Sequence, residues 1–348
     1  MERHVQSGDY IQIRRCIMKR KTKTTVNVTA NAEAIKLAKQ KQRHTNYLNM
    51  KRNWLLYLFV LPAFLWLAIF HYYPLYGLQI AFQDYKPGQA FGTSEWIGFD
   101  YFIQFFKSYW FPIVMKNTVV ISLLTFLLSF PLPIILALML NEVMNSKVKK
   151  TIQTITYAPH FISTVVLCAT VNLFLSPTGG IIGTTVNNVR EAMGLEAVNL
   201  MMSGQGFKWI YALSGVWQET GWASVLYFAA LSAVDIEQID AARIDGANKL
   251  QRIWYINIPV LIPTIVIQLI LKVGHLLGVG FEKVYLLQND AIMGYSEVIS
   301  TYVYRVGING GKFSFGTAIG LFNSVINGIL LIVVNKIVKK VDDNLSLF

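Results

Sequence analysis

Polar and ionisable side chains stand inside three long apolar stretches of this chain: Trp217-Gln218-Glu219 in one, Gln268, Lys272, His275 and Glu282 in the next, Asn323 and Asn327 in the last. A charge inside an apolar membrane helix is costly and is kept where it faces a bundle interior or a water-filled path. Such groups bind a polar solute, relay protons or cations, or hold the bundle together. A tryptophan beside an amide and an acid is a pairing that takes sugars, ring face for C–H surface and polar groups for hydroxyls. The four polar residues of the second stretch are spaced 4, 3 and 7 apart, which places them within about 80° of one helix face. Val279 interrupts that stripe, and the opposite face (Val266, Ile270, Val273, Leu277, Phe281) is apolar. A pathway wall and a packed helix seam both fit the pattern. Glu219 and Lys272 fall at similar depth, so they are expected to be neighbours or to face one cavity.

Catalysis finds no support. There is no nucleophile–base arrangement and no carboxylate pair, and His160 and His275 lack metal-ligand spacing with each other or with Cys16 or Cys168. The two cysteines are expected in different compartments and unpaired. Gly311-Lys312 is not a phosphate-binding loop, because Val306 stands where the first glycine belongs and Phe313 where a hydroxyl is needed. The chain is therefore not expected to bind or hydrolyse ATP.

The elements that carry these residues follow from composition. Of 348 residues 54% are hydrophobic and 14% charged. Such a chain is not disordered, and its apolar runs are too long for an ordinary soluble enzyme. Net charge is +12, but residues 1–52 alone hold 13 Lys/Arg against 3 acids. That tail reads as a cytoplasmic anchor beside anionic lipid, with no nucleic-acid module attached. It is not expected to be a cleavable signal, since its basic region is too long and no small-residue site follows the first apolar run. Six transmembrane helices are predicted, at 53–73, 117–141, 151–176, 209–234, 258–285 and 316–335. Pro131, Pro133 and Pro159 lie inside spans and predict bends, tolerated where neighbouring helices satisfy the freed carbonyls. With the N-terminus inside, inner segments carry 22 Lys/Arg and outer ones 7, so both termini are expected in the cytoplasm. The plan is an all-α membrane protein: a tail (1–52), a transmembrane domain (53–340) and a cytoplasmic C-terminus (341–348). The aromatic-rich stretch Trp96–Phe111 predicts a short helix lying in the membrane interface.

The loop 235–257, between the fourth and fifth spans, is longer than a turn and carries both signs of charge. Ile236, Ile239, Ala247 and Leu250 share one helical face, and Gly246 interrupts it. Asp240-Ala241-Ala242, three residues, Gly246, nine residues, then Ile256-Asn257-Ile258-Pro259 resembles the Glu-Ala-Ala loop of ABC importer permeases, with every interval kept. Asp240 stands for glutamate and Ile258 for leucine. Asp245-Gly246-Ala247, Asn117-Thr118 and the stretch Gly98–Tyr101 are similar to the carbohydrate-uptake branch, notably its polysaccharide type. The resemblance spans roughly residues 50–340.

What the resemblance implies is a type I ABC importer permease fold and a subunit moving a carbohydrate, expectedly an oligosaccharide, by alternating access. The loop would be a coupling helix seated in a cleft of an ATPase subunit, a helix-in-groove contact, with Asp240, Ala241, Ala242, Asp245, Gly246, Ala247, Ile256, Ile258 and Pro259 as its residues. The implied partners are a second permease subunit, two ATPase subunits carrying ATP and Mg, an extracellular solute-binding protein and membrane lipid. The setting is a bacterial cytoplasmic membrane. The alternative is an ion-gradient-driven transporter using Glu219, Lys272 and Glu282 as a relay.

Overall fold

The computed structural model describes residue 49 and residues 51–89 and 93–347. Residues 1–48, 50, 90–92 and 348, with most of the basic tail and Cys16, lie outside the described residues. The chain forms two compact units, Met1–Tyr76 and Gly77–Phe348. In the first, helix α1 (Trp54–Leu67) runs on as a π turn, Ala68–Tyr72. α1 is apolar on every side and buries none of its residues, the pattern of a helix made for an apolar solvent.

The second unit is a helix bundle whose described residues pair in strand fashion only at one isolated bridge, Gln83–Trp96. Its helices are α2 (Asp100–Lys107), α3 (Trp110–Ser129), α4 (Pro131–Glu142), α5 (Ser146–Tyr157), α6 (Thr164–Leu175), α7 (Ile181–Ala192), α8 (Gly204–Leu231), α9 (Ile236–Ile244), α10 (Lys249–Arg252), α11 (Ile258–Gly274), α12 (Phe281–Leu287) and α13 (Phe313–Val341). α8 is central: it packs against α3, α4, α5 and α11, while α11 also packs against α13. Its buried residues Phe207, Tyr211, Gln218, Gly221, Ser224, Tyr227 and Leu231 recur at helical spacing. At Gly221 the crossing with α5 is so close that a Cβ would strike the Thr156 carbonyl.

Among the described residues four helical runs are long and apolar enough to cross a membrane, Trp54–Phe82, Trp110–Glu142, Lys249–Gly274 and Phe313–Val341, with a fifth if α5 and α6 are one bent span. Six were expected from the sequence. The difference is α8: its 28 residues are long enough, but Lys208, Gln218 and Glu219 make it too polar to qualify by composition, as suits a helix packed among other helices.

Two expected spans are broken. The run 151–176 bends by 100° between Ser146–Phe161 and Thr164–Leu175. Pro159 offers no N–H to a continuing helix, Ile162 turns extended, and Ser163 caps α6. The run 258–285 stops at Gly274, with His275 at the cap, and restarts as α12. Gly274, Gly278 and Gly280 weaken the helix there, and Asn327 Oδ1 accepts the free N–H of Leu277 at 3.0 Å. The aromatic helix α2 is docked rather than interfacial alone: Phe105 is buried among Val114, Ile299, Tyr302, Phe315 and Ile319.

Candidate functional site

Two places gather chemistry-bearing residues. The first is the loop after α8. Asp235 Oδ1 accepts the Glu237 N–H at 2.9 Å and opens α9. α9 closes on a Schellman pair, Gly246 N–H to Arg243 O (3.1 Å) and Ala247 N–H to Ala242 O (2.8 Å). That closure needs a left-handed residue at the C′ position, and Gly246 has φ +79°. Asn248 and Gln251 then form a capping box that starts α10, and a π turn, Ile253–Asn257, leads into α11. Arg252 donates to Ala247 O (3.1 Å) and to Glu142 Oε2 (3.2 Å), tying the loop to the end of α4. Neither Arg252 nor Glu142 was singled out from the sequence; their partners lie 110 residues apart.

The loop's motif residues divide by exposure. Asp240, Ala241, Asp245, Gly246 and Pro259 are exposed, while Ala242, Ala247, Ile256 and Ile258 are half-buried. Asp240 pairs with Arg243 at 3.0 Å. Of the expected apolar face, Ile239 packs at the edge of a core cluster, whereas Ile236 and Leu250 are exposed. Ile236, Ile244, Leu250, Trp254 and Tyr255 are each at least 65% exposed.

The second place is a cavity of about 210 Å³ between α3, α8 and the end of α11, lined by Ser122, Thr125, Phe126, Ser129, Tyr211, Lys272, His275, Leu276, Gly278 and Val279. Lys272 Nζ donates to Ser129 O (3.1 Å) and Ser129 Oγ (3.4 Å). The helical partner of Ser129 O would be the N–H of residue 133, and Pro133 has none. The freed carbonyl is thus satisfied from the neighbouring helix.

The sequence-predicted pathway residues do not converge. Lys272 and His275 share the cavity; the others lie elsewhere. Glu219 is not the partner of Lys272: His160 Nδ1 donates to Glu219 Oε2 at 3.0 Å, and the His160 ring stacks on Trp222 at 4.7 Å. Gln218 is buried and donates to Ile162 O at 2.8 Å, satisfying the carbonyl left free by the bend. Trp217 is half exposed beside a separate, mostly apolar cavity with Leu132, Met139 and Pro159. Three successive helix positions point 100° apart, so they cannot act together as one sugar platform. Gln268 is half-buried on α11, and Glu282 is exposed beyond the helix break. Asn327 is the cap on Leu277, and Asn323 Oδ1 is buried without a partner. A relay through Glu219, Lys272 and Glu282 therefore has no connected path. Lys283, given no role from the sequence, donates to Tyr211 O at 2.8 Å and lies 4.6 Å over that ring.

Between α12 and α13 a third polar set is structural. Asn117 Nδ2 donates to Gly294 O (3.1 Å) and Glu297 O (3.0 Å), and Thr118 Oγ1 accepts from Ile299 N–H at 3.0 Å. Arg305 Nε donates to the buried Glu297 at 3.0 Å and lies 4.7 Å over Trp110.

With this geometry in place, likeness to known proteins is informative. Residues 129–343 match the family described as Binding-protein-dependent transport system inner membrane component. The chain is 41% identical over 294 residues to Protein LplB of Bacillus subtilis (strain 168), covering 84% of this chain and 91% of that protein. It is 38% identical over 316 residues to the Polygalacturonan/rhamnogalacturonan transport system permease protein YteP of the same organism, covering 91% and 97%. A crystal structure of a bacterial ABC transporter involved in the import of the acidic polysaccharide alginate superposes with TM-score 0.76 at 39% identity, over 85% of this chain and 99% of that one.

Proposed function

The chain belongs to the binding-protein-dependent transport system inner membrane components, and from that premise we propose that it is the membrane-spanning subunit of an ATP-driven importer of oligosaccharides. The substrate class follows the names of its relatives, a galacturonan permease and an alginate importer. The chain sits in the bacterial cytoplasmic membrane with both termini inside and crosses it several times. It works with a second permease subunit, two ATPase subunits and an extracellular solute-binding protein. ATP and Mg bind the ATPase subunits and not this chain, which lacks a phosphate-binding loop.

One observation carries the coupling role: the loop after α8 is a self-capped helix–Gly246–helix unit that holds five large apolar side chains in the open. Exposed apolar surface of this kind marks a docking site. Closure of the ATPase subunits on ATP moves the loop, and α8 and α11, joined directly to it, carry the motion into the bundle. The spans then alternate between inward- and outward-open forms.

The test is uptake into vesicles holding the full complex, with ATP inside and no ion gradient. Uptake under those conditions is expected; uptake driven by a gradient alone, without nucleotide, overturns the reading.

A further inference from the structure

The cavity beside Lys272 has an electrostatic character of its own. Its ten lining residues include one lysine, one histidine and four hydroxyl side chains, and neither Asp nor Glu. The Lys272 ammonium hydrogen-bonds to dipoles, the carbonyl and hydroxyl of Ser129. Glu219, expected to be its neighbour or to face one cavity with it, acts on Lys272 through its charge while its carboxylate is bonded to His160. A cation kept at membrane depth with no carboxylate in contact is expensive, and a neutral donor would satisfy Ser129 O equally well.

The remaining wall is unfinished too. Ser122 Oγ and Thr125 Oγ1 are buried without hydrogen-bond partners, although serine and threonine in helices ordinarily bond the carbonyl four residues back, as Thr118 does. Each such orphan is costly until a partner arrives, and each can turn about χ1. Tyr211 Oη accepts the Gly280 N–H at 3.2 Å, which leaves its own O–H as a donor. One cation with several neutral hydroxyls fits a ligand that carries one carboxylate among many hydroxyls.

We infer that this cavity is a station for uronate residues, with Lys272 as the counter-ion of the sugar carboxylate and Ser122, Thr125 and Tyr211 bonding the ring hydroxyls, so that the chain is selective for acidic oligosaccharides. The inference rests on the carbohydrate reading above and deepens it. Lys272 leaves Ser129 for the charged ligand, because a carboxylate adds the attraction between two full charges where Ser129 offers only dipoles. The carboxylate in turn supplies a counter-charge in contact with Lys272, which the cavity lining lacks. A neutral sugar gains nothing from the ammonium.

The experiment uses the reconstituted full transporter and two probes, tetragalacturonate and its fully methyl-esterified form, which share one skeleton and differ in charge. For each probe, uptake by Lys272→Gln and Lys272→Arg is compared with wild type, so that delivery by the binding protein cancels. Lys272→Gln is expected to lower uptake of the acid at least tenfold and that of the ester by less than twofold; Lys272→Arg is expected to restore the acid to within threefold of wild type. Equal losses for both probes, or an unchanged rate for the acid, overturn the inference and leave the carbohydrate reading intact. Wild-type vesicles that hydrolyse ATP but take up neither probe sink both together.

Discussion

Two stretches that are not spans, one at each end of the bundle, are built in opposite ways. The loop between α8 and α11 caps its own helices through Asp235, Gly246 and Asn248, and leaves Ile244, Trp254 and Tyr255 in the open. The segment between α12 and α13 does the reverse. Ile292, Ser296, Glu297, Val298, Ile299, Thr301 and Tyr302 are all buried, and Asn117 and Thr118 reach across from α3 to hold its backbone. A surface that is locally complete and apolar outside is made to meet another molecule. A buried stretch whose backbone is also held from across the bundle is made to stay in place. Stability should therefore concentrate at one end and transmission at the other.

A large effect on stability is expected at Asn117. Asn117→Leu keeps the branched shape but strands the buried Glu297 carbonyl and the partly buried Gly294 carbonyl; at about 1–3 kcal/mol for a buried orphan and less for one that water reaches, a loss of about 2 kcal/mol is expected. Thermal unfolding of the detergent-solubilised complex reads it directly. Co-purification of the ATPase subunits with the folded fraction should be unchanged. If the melting temperature stays put, the segment is not held through α3 and the contrast collapses.

Arg252 is where the comparison is sharpest, because it gives the loop a long-range tie. Its side chain and that of Glu142 are only 12% and 21% exposed. Removing one partner of a fully buried pair costs about 3–5 kcal/mol; partial solvent access brings Arg252→Gln to about 2 kcal/mol. The functional effect should exceed the structural one: ATP hydrolysis continues while uptake falls, because the loop no longer pulls on α4. A double-mutant cycle with Glu142→Gln measures the coupling. Hydrolysis and uptake falling in proportion would make Arg252 a folding residue only.

How much was legible in the sequence follows the same division. The loop could be read because a Schellman closure is local: Gly246, Arg243 and Ala242 lie within five residues, and the residue type is dictated by φ. The bend at Pro159 was readable for the same reason, since proline acts on its own helix. The structural bonds of Gln218 and Asn327 could not be read, because their partners, Ile162 and Leu277, lie 56 and 50 residues away. Lys272 and Glu219 could be matched for depth, and the charge of Glu219 does act on Lys272, but depth says nothing about rotation around two helix axes, and the direct bonds go to Ser129 and His160. The end of α11 was missed although Gly274, Gly278 and Gly280 signalled it, because the apolar run continues through Leu276 and Leu277.

Gly246→Ala separates local geometry from contact. A Cβ at this position meets nothing within 4 Å, so the cost is conformational, about 1–2 kcal/mol for a left-handed alanine. Melting should drop slightly, yet ATPase co-purification should fall severalfold, since the proposed docking presents the angle between α9 and α10 to the ATPase subunit. Undiminished co-purification would mean that the cap shapes the loop without shaping its docking face.

The smallest effect is a slope rather than a loss, and it belongs to the buried end. Burial pushes the Glu297 carboxyl above its ordinary value, while the bond and charge of Arg305 pull the other way without cancelling it. Between the ordinary carboxylate pKa and the raised one, the folded chain holds a proton that the unfolded chain has released. Stability therefore falls as pH rises through that window and levels off above it. Glu297→Gln keeps an acceptor for Arg305 and removes the titration, so its melting curve should lack that component. The difference between wild type and variant, measured from about pH 4 to about pH 8, isolates this one group. A difference of opposite sign would mean that Arg305 governs the pair. The segment between α12 and α13 would then be an ion-pair latch open to water, not a dry anchor.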